Sequence, residues 1–236
     1  GKVADNIKIF MAVICKALLG CPARGVKQGT GESAALVRIG TPFWHRGTMV
    51  QTPPKPLTLD EFLRLPETKP ASEYINGQVI PKPMPQGQHS RLQQKLISEI
   101  NGKLEAHRVA LALPELRCTF GRRSIIPDVA VFRWHHLPIN EDGTLANVFQ
   151  AAPDWAIEIL SPDQSSTRVT SNLLHCLAHG WELGWWIDPA ERLVQVYQPN
   201  QPLQSLESAE VSLPVPVFAA ALDLTVGAVF GWLQVG

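Results

Sequence analysis

Asp128 and Glu158 are the residues of this chain whose surroundings call for chemistry. Asp128 lies in Ile125-Ile126-Pro127-Asp128-Val129-Ala130-Val131-Phe132, and Glu158 in Trp155-Ala156-Ile157-Glu158-Ile159-Leu160. Both runs are otherwise apolar enough to read as strands buried on two faces. An ionised carboxylate in such a place is costly unless it is paired or coordinates a cation. Two of them on consecutive strands could share one face of a sheet. They would then form an acidic pocket for Mg²⁺ or Mn²⁺, which favour oxygen ligands. Taken singly, each has a plainer structural reading. Asp128 could sit at a strand edge behind Pro127 and cap a turn, and Glu158 could pair with Arg168 or Arg123. The pair, with Glu73 in a predicted hairpin as a further acid, favours the metal.

Other chemistries find less support. There is no phosphate-binding glycine loop, which disfavours a nucleotide cofactor. Ser161 and Ser165 lack the setting of a nucleophile elbow. His175 and His179 stand four apart, as metal ligands on a helix do, but no third ligand is near in sequence, so a partly exposed helix face is expected. His135-His136 falls in a predicted loop and is given no role. Trp155, Trp181, Trp185 and Trp186 could stack on bases, but their strand or strand-edge positions favour the core. None of Cys15, Cys21, Cys118 and Cys176 forms a C-x-x-C pair. Scattered reduced thiols of this kind suggest a cytoplasmic protein.

These side chains must be positioned by elements that the local patterns announce. Thr58-Leu-Asp-Glu61 is a capping box opening a short helix over about 58–65. Residues 72–80 read as a hairpin, with Asn76-Gly77 supplying a type I′ turn. Leu92, Leu96, Ile97, Ile100 and Leu104 recur at helical spacing between His89 and about Ala106. Strands are expected at 116–120, 125–132 and 154–160. A helix follows from about Ser165 to Ala178, stopped by His179-Gly180. A last strand pair covers 185–188 and 193–197. A polar loop over 198–214 and a short helix within 224–233 complete the chain. This order predicts the α/β or α+β class, a central mixed β-sheet flanked by helices.

Composition sets the outer bounds. The chain has 236 residues with 45% hydrophobic and 18% charged side chains, enough for one domain with a full core. Its 21 basic and 21 acidic residues cancel, but unevenly: residues 1–48 hold seven basic and two acidic residues. The remainder carries 14 basic and 19 acidic, a net of −5. A nucleic-acid contact in that part would need a local patch instead of a general basic surface. The apolar run Ile9–Cys15 is interrupted at Lys16, too short for a membrane span and unlike a secretory signal. Leu18-Leu-Gly-Cys21 only faintly matches a lipid-attachment site. Residues 22–48 show no period, whereas Met49 opens a stretch resembling a natural start. Residues 1–48 are therefore expected to be an extension outside the fold, and residues 49–236 the domain.

The motifs occur together in a known order. Glu73-Tyr-Ile-Asn-Gly77, His89 at the head of a helix, Pro127-Asp128-Val-Ala-Val131, Glu158-Ile-Leu-Ser-Pro162 and Gly184-Trp-Trp-Ile-Asp-Pro189 resemble the Uma2 endonucleases of the PD-(D/E)XK nuclease superfamily. The resemblance covers about Leu57 to Tyr197. It implies a restriction-endonuclease-like core, often homodimeric, and a metal-dependent DNA endonuclease. It maps the metal ligands to Asp128 and Glu158, joined by the carbonyl of Ile159, with Glu73 as an added acid and His89 nearby. Glu73 would position water or a second metal. His89 would contact a phosphate oxygen or hold Glu73, unless it is simply a solvent-facing residue at a helix start. One departure stands out. The superfamily pattern has a lysine two residues after the second acid, where this chain has Leu160. Uma2 proteins commonly carry one on the next helix, about where Ser171 or Asn172 stands. No lysine follows Lys103. Arg168 is the nearest cation in sequence, able to stabilise phosphate charge but poor as a base; Arg122, Arg123 and Lys95 are further candidates. The alternative is a catalytically impaired relative that keeps the fold as a nucleic-acid or protein binding module, or a structural dimer with its acids in salt bridges.

Overall fold

The computed structural model describes residues 56–236 apart from residue 163. The expected extension over 1–48, and the expected domain start at Met49, lie outside the described residues. Local signals place the first elements. Helix α1, Leu59–Leu63, begins on the predicted capping box, in which the Thr58 hydroxyl accepts from the Glu61 N–H and the Glu61 carboxylate accepts from the Thr58 N–H. Strands β1, Ser72–Ile75, and β2, Gln78–Pro81, form the predicted hairpin. Asn76 and Gly77 take φ of 51° and 85° at its turn, as a type I′ turn requires.

Helix α2, Gly87–Leu104, buries Leu92, Leu96, Ile100 and Leu104 along one stripe. Its Asn101 side chain donates to the Ala112 carbonyl and accepts from the Ala112 N–H. That clamp fixes the helix to β3, Ala110–Pro114. The sequence pattern did not announce β3, because Ala-Leu-Ala-Leu-Pro is short and poor in β-branched residues.

The expected single strand over 125–132 is two strands. Strand β4, Cys118–Phe120, and β5, Arg123–Ile125, form a hairpin in one sheet; β6, Val129–Arg133, belongs to another. Pro127 has no N–H for a ladder, so the chain leaves the first sheet at Ile126 and enters the second after Asp128. The remaining strands are β7, Trp155–Ile159; β8, Leu183–Asp188; β9, Leu193–Tyr197; and β10, Gln204–Leu206. The last lies inside the stretch expected to be loop. Helix α3, Ser166–Leu177, connects β7 to β8, and α4, Val226–Gly231, lies near the C-terminus.

The result is the expected mixed sheet with flanking helices. Six strands run in the order β10-β9-β8-β7-β6-β3, and only β7 and β8 are parallel, joined by α3 as a parallel pair demands. A second sheet has the order β2-β1-β5-β4. Alternation along the central strands makes two cores. Val129, Val131, Trp155, Ile157 and Ile159 pack with α2 and the C-terminal segment. Ala130, Phe132, Ala156 and Trp186 face the other way, with Val169, Leu173 and Cys176 of α3 and with Ile75 and Ile125 of the second sheet. The four tryptophans singled out above are all buried, and so are core, not platforms for bases. Among the described residues no helix is long and apolar enough to cross a membrane.

Candidate functional site

The break at Pro127 builds the site. Residues 126–128 cross from one sheet to the other, and their polar groups are seized from both sides. Glu73, in β1, accepts the Ile126 N–H at 2.8 Å. Asp128 accepts the Ile159 N–H at 2.7 Å through Oδ2. Val129 pairs with Ile157 in the antiparallel ladder, so continuing that register by one residue sets Asp128 opposite Glu158. Both then lie on the face of the central sheet that α3 and the second sheet cover. The three carboxylates Glu73, Asp128 and Glu158 are nearly inaccessible, at 3%, 1% and 2%.

Helix α2 holds Asp128 from the other side. His89 and Gln93 are one turn apart. His89 Nε2 stands 3.1 Å from Asp128 Oδ2 and Gln93 donates to the Asp128 carbonyl at 2.8 Å. An ionised carboxylate only accepts, so the His89 proton on that side must reside on Nε2. Its Nδ1 is buried without a partner. His89 is therefore not a solvent-facing helix start, and it contacts Asp128 instead of Glu73. Glu73 is held by Asn172 of α3, whose Nδ2 lies 3.3 and 3.2 Å from its two oxygens.

The cation of the site is Lys82, which the sequence reading passed over. It follows β2, between Pro81 and Pro83, and its backbone N–H donates to the Ala71 carbonyl. Its Nζ lies 2.8 Å from Asp128 Oδ1 and 3.7 Å from Glu158 Oε2, and it donates to the Ile126 carbonyl at 2.5 Å. Arg168, expected as the nearest cation, is exposed on the first turn of α3 and makes no ion pair with these acids. Arg123 instead donates to Ser171. Neither Arg122 nor Lys95 pairs with the acids. The one hint of Lys82 in the sequence was an acid and a base on the same hairpin, Glu73 and Lys82, and no spacing rule links them.

The electrostatics follow from burial and proximity. Burial works against the Asp128 charge, but Lys82 and His89 outweigh it and hold the carboxyl well below its ordinary range. Glu158 goes the other way. Burial, then the charges of Asp128 and Glu73, push it well above the usual carboxylate range, against the pull of Lys82. Burial also opposes the Lys82 charge, yet Asp128, Glu158 and Glu73 together raise its affinity for the proton above the ordinary lysine value.

No group of three or more His, Cys, Asp or Glu side chains among the described residues is arranged as a metal cage. Mg²⁺ does not need one, since it commonly binds one or two carboxylates and keeps several waters. The donors present fit that mode. They are hard oxygens, and Glu158 Oε2 is buried with no hydrogen-bond partner. The Ile159 N–H points at Asp128, and in an extended strand the carbonyl of the same residue leaves on the same side. Asp128, Glu158 and the Ile159 carbonyl can thus hold a divalent cation, once Lys82 is accounted for. A cleft of about 350 Å³ reaches Asp128 and Lys82, lined also by Lys69, Pro70, His89 and Gln164 among others. A larger hollow of about 660 Å³ beside α1 includes none of the three carboxylates.

The two α3 histidines do not join the site. The His175 ring stacks on Phe120 at 5.0 Å and lies 4.4 Å from the His179 ring. Burial, helped by the charges of Arg123 and His179, lowers its pKa to about 4 against the Phe120 hydrogen bond. An NMR titration of the imidazole resonances is expected to find the His175 midpoint near 4; a midpoint at the ordinary 6.5 would show that the stack is absent in solution. A depressed value means the unfolded state takes up the proton first. His175 therefore contributes stability above about 6.5 that is lost as pH falls through about 4.

Residues 59–227 match the model of the Uma2 family, described as "putative restriction endonuclease". A comparison with curated proteins finds no match. Among solved structures the chain is similar to one described as "a putative nuclease belonging to DUF820 from Anabaena variabilis". The two share 54% sequence identity and a TM-score of 0.75, over 76% of this chain and 100% of that one.

Proposed function

The chain belongs to the Uma2 family, and from that premise we propose that it is a metal-dependent DNA endonuclease hydrolysing phosphodiester bonds at Asp128 and Glu158. The observation that carries the reading is the pairing of two buried carboxylates across the β6–β7 register, one of them with an oxygen that accepts no hydrogen bond. The Lys82 ion pair alone leaves that oxygen without a hydrogen bond, a shortfall that Mg²⁺ or Mn²⁺ would fill.

When bound, the divalent cation supplies positive charge for the phosphate oxygens and acidifies the attacking water. The protein's own residues do the rest. Asp128, Glu158 and the Ile159 carbonyl would bind it. His89 fixes the orientation of Asp128, as a partner behind a metal ligand does. Glu73 holds the Ile126 N–H and so keeps the crossing segment in place. Glu73 and His89 are positioning residues on this account, and Arg168 has no part in it. The reading as a binding module without catalysis rests on the missing lysine and on the net acidic charge of residues 49–236. Lys82, just after β2, brings a positive charge to the same carboxylates, and the buried acid pair is what favours the catalytic reading over the binding module. A homodimer would supply two such sites, one for each strand of a duplex; light scattering on the full chain tests that.

The test is nicking of supercoiled plasmid by the full chain in Mg²⁺ or Mn²⁺, with chelator as control. Conversion to open-circle and linear forms only with metal is the expected result. No conversion in either metal would overturn the proposal.

A further inference from the structure

The Lys82 ammonium lies against both carboxylates proposed to hold the divalent cation. Its neighbours are Asp128 Oδ1, the Ile126 carbonyl and Glu158 Oε2, two carboxylates and a carbonyl, the oxygen types a hard cation takes. We propose that Lys82 is a tethered cation that closes the metal position in the metal-free protein and must be displaced for the site to load. This rests on the metal-dependent reading above and adds a competition within it.

Three features of the site support the displacement. Glu158 Oε2 has no accessible surface and accepts no hydrogen bond, and the Lys82 ammonium stands 3.7 Å from it. A metal can reach that oxygen only if the ammonium moves. The ammonium leans to one side, in hydrogen-bond contact with Asp128 but not with Glu158 at 3.7 Å, so one unit charge serves two carboxylates unequally. Finally, there is a way out. Lys82 follows β2, the edge strand of its sheet, and it lines the adjacent cleft of about 350 Å³. Its four-carbon stem can turn into that space without moving the backbone, which stays pinned by its hydrogen bond to Ala71. Metal affinity then measures the difference between two cations for one oxygen set, and the protein is loaded only where the divalent ion is abundant enough to win.

Two substitutions shift this competition in opposite directions. Lys82→Met keeps the length of the side chain and removes the charge. Lys82→Arg keeps the charge and replaces the ammonium with a fork able to span both carboxylates. Mn²⁺ binding to the full chain is measured by calorimetry, with the Mn²⁺-induced rise in Tm as a second readout. Lys82→Met is expected to bind at least about tenfold more tightly than wild type, and to be less stable than wild type without metal but gain more from it. Lys82→Arg, which retains the buried charge that folding needs, is expected to bind at least about tenfold more weakly. Equal affinities in wild type and Lys82→Arg, or weaker binding by a folded Lys82→Met, would overturn the inference while leaving the metal reading intact. No Mn²⁺ binding by any of the three proteins would end both.

Discussion

Glu158→Gln is expected to lower metal-dependent plasmid cleavage by about 10²–10³-fold, as losing one charge-stabilising group in an enclosed site does, while leaving the metal-free fold at least as stable as wild type near neutral pH. The two halves of this expectation have one cause. Glu158 is buried beside Asp128 and Glu73, with one oxygen that accepts no hydrogen bond, and its pKa is raised well above 4.5. A group whose folded pKa is raised binds its proton more tightly when folded. Its contribution is intact below the unfolded carboxylate value and is lost as pH rises through the folded one. Glutamine keeps the shape and cannot ionise, so it removes that loss. Urea unfolding of the metal-free proteins between pH 4 and 8 reads it out: wild-type stability should decline with rising pH relative to Glu158→Gln. A variant that cleaves at the wild-type rate would show that Glu158 holds no metal, and one that is strongly destabilised at neutral pH would show that Glu158 is a structural partner of Lys82.

Asp128→Ala should behave in the opposite way, costing about 3–5 kcal/mol of folding stability as the loss of one partner from a buried ion pair does. Asp128 is the common acceptor of Lys82 Nζ, His89 Nε2 and the Ile159 N–H. Alanine leaves the ammonium of Lys82 beside Glu158 alone, and strands two further donors. Since single domains have only about 5–15 kcal/mol in total, the variant should unfold at much lower urea. A cost under about 1 kcal/mol would mean that the cluster is solvated in solution, since solvated pairs contribute no more than that. The practical consequence is that lost cleavage in Asp128→Ala alone says little about metal binding, whereas lost cleavage in a well-folded Glu158→Gln does.

Much of the fold was legible because its signals are local. The Thr58–Glu61 capping box, the Asn76-Gly77 turn and the helical stripe of Leu92, Leu96 and Ile100 each lie within a few residues of the group they organise, and each formed as expected. The apolar run at 125–132 predicts strand, and strand forms there, but as parts of two strands in different sheets. Periodicity cannot tell that Pro127 marks a change of sheet, because which sheet a strand joins depends on partners elsewhere. Strands β3 and β10 were missed for a related reason: β3 is paired along its whole length with β6 and β10 with β9, so neither needs strong propensity of its own.

The site divides along the same line. Asp128 and Glu158 stood out because a charge in an apolar run is anomalous wherever the run is placed, and desolvation makes that anomaly meaningful without any structure. The sequence by itself therefore determined the two carboxylates, the strands that bury them and the family resemblance they carry. Their counter-charge was a matter for tertiary structure alone. Lys82 is 46 residues from Asp128, and Asn172 is 99 residues from the Glu73 it holds. Arg168 looked close because it follows Glu158 in the chain, yet α3 turns it outward, while the β1–β2 hairpin carries Lys82 inward against the crossing segment 126–128. Coulomb attraction and hydrogen bonding act through distances in space, and only the packing of the second sheet against the first sets those distances.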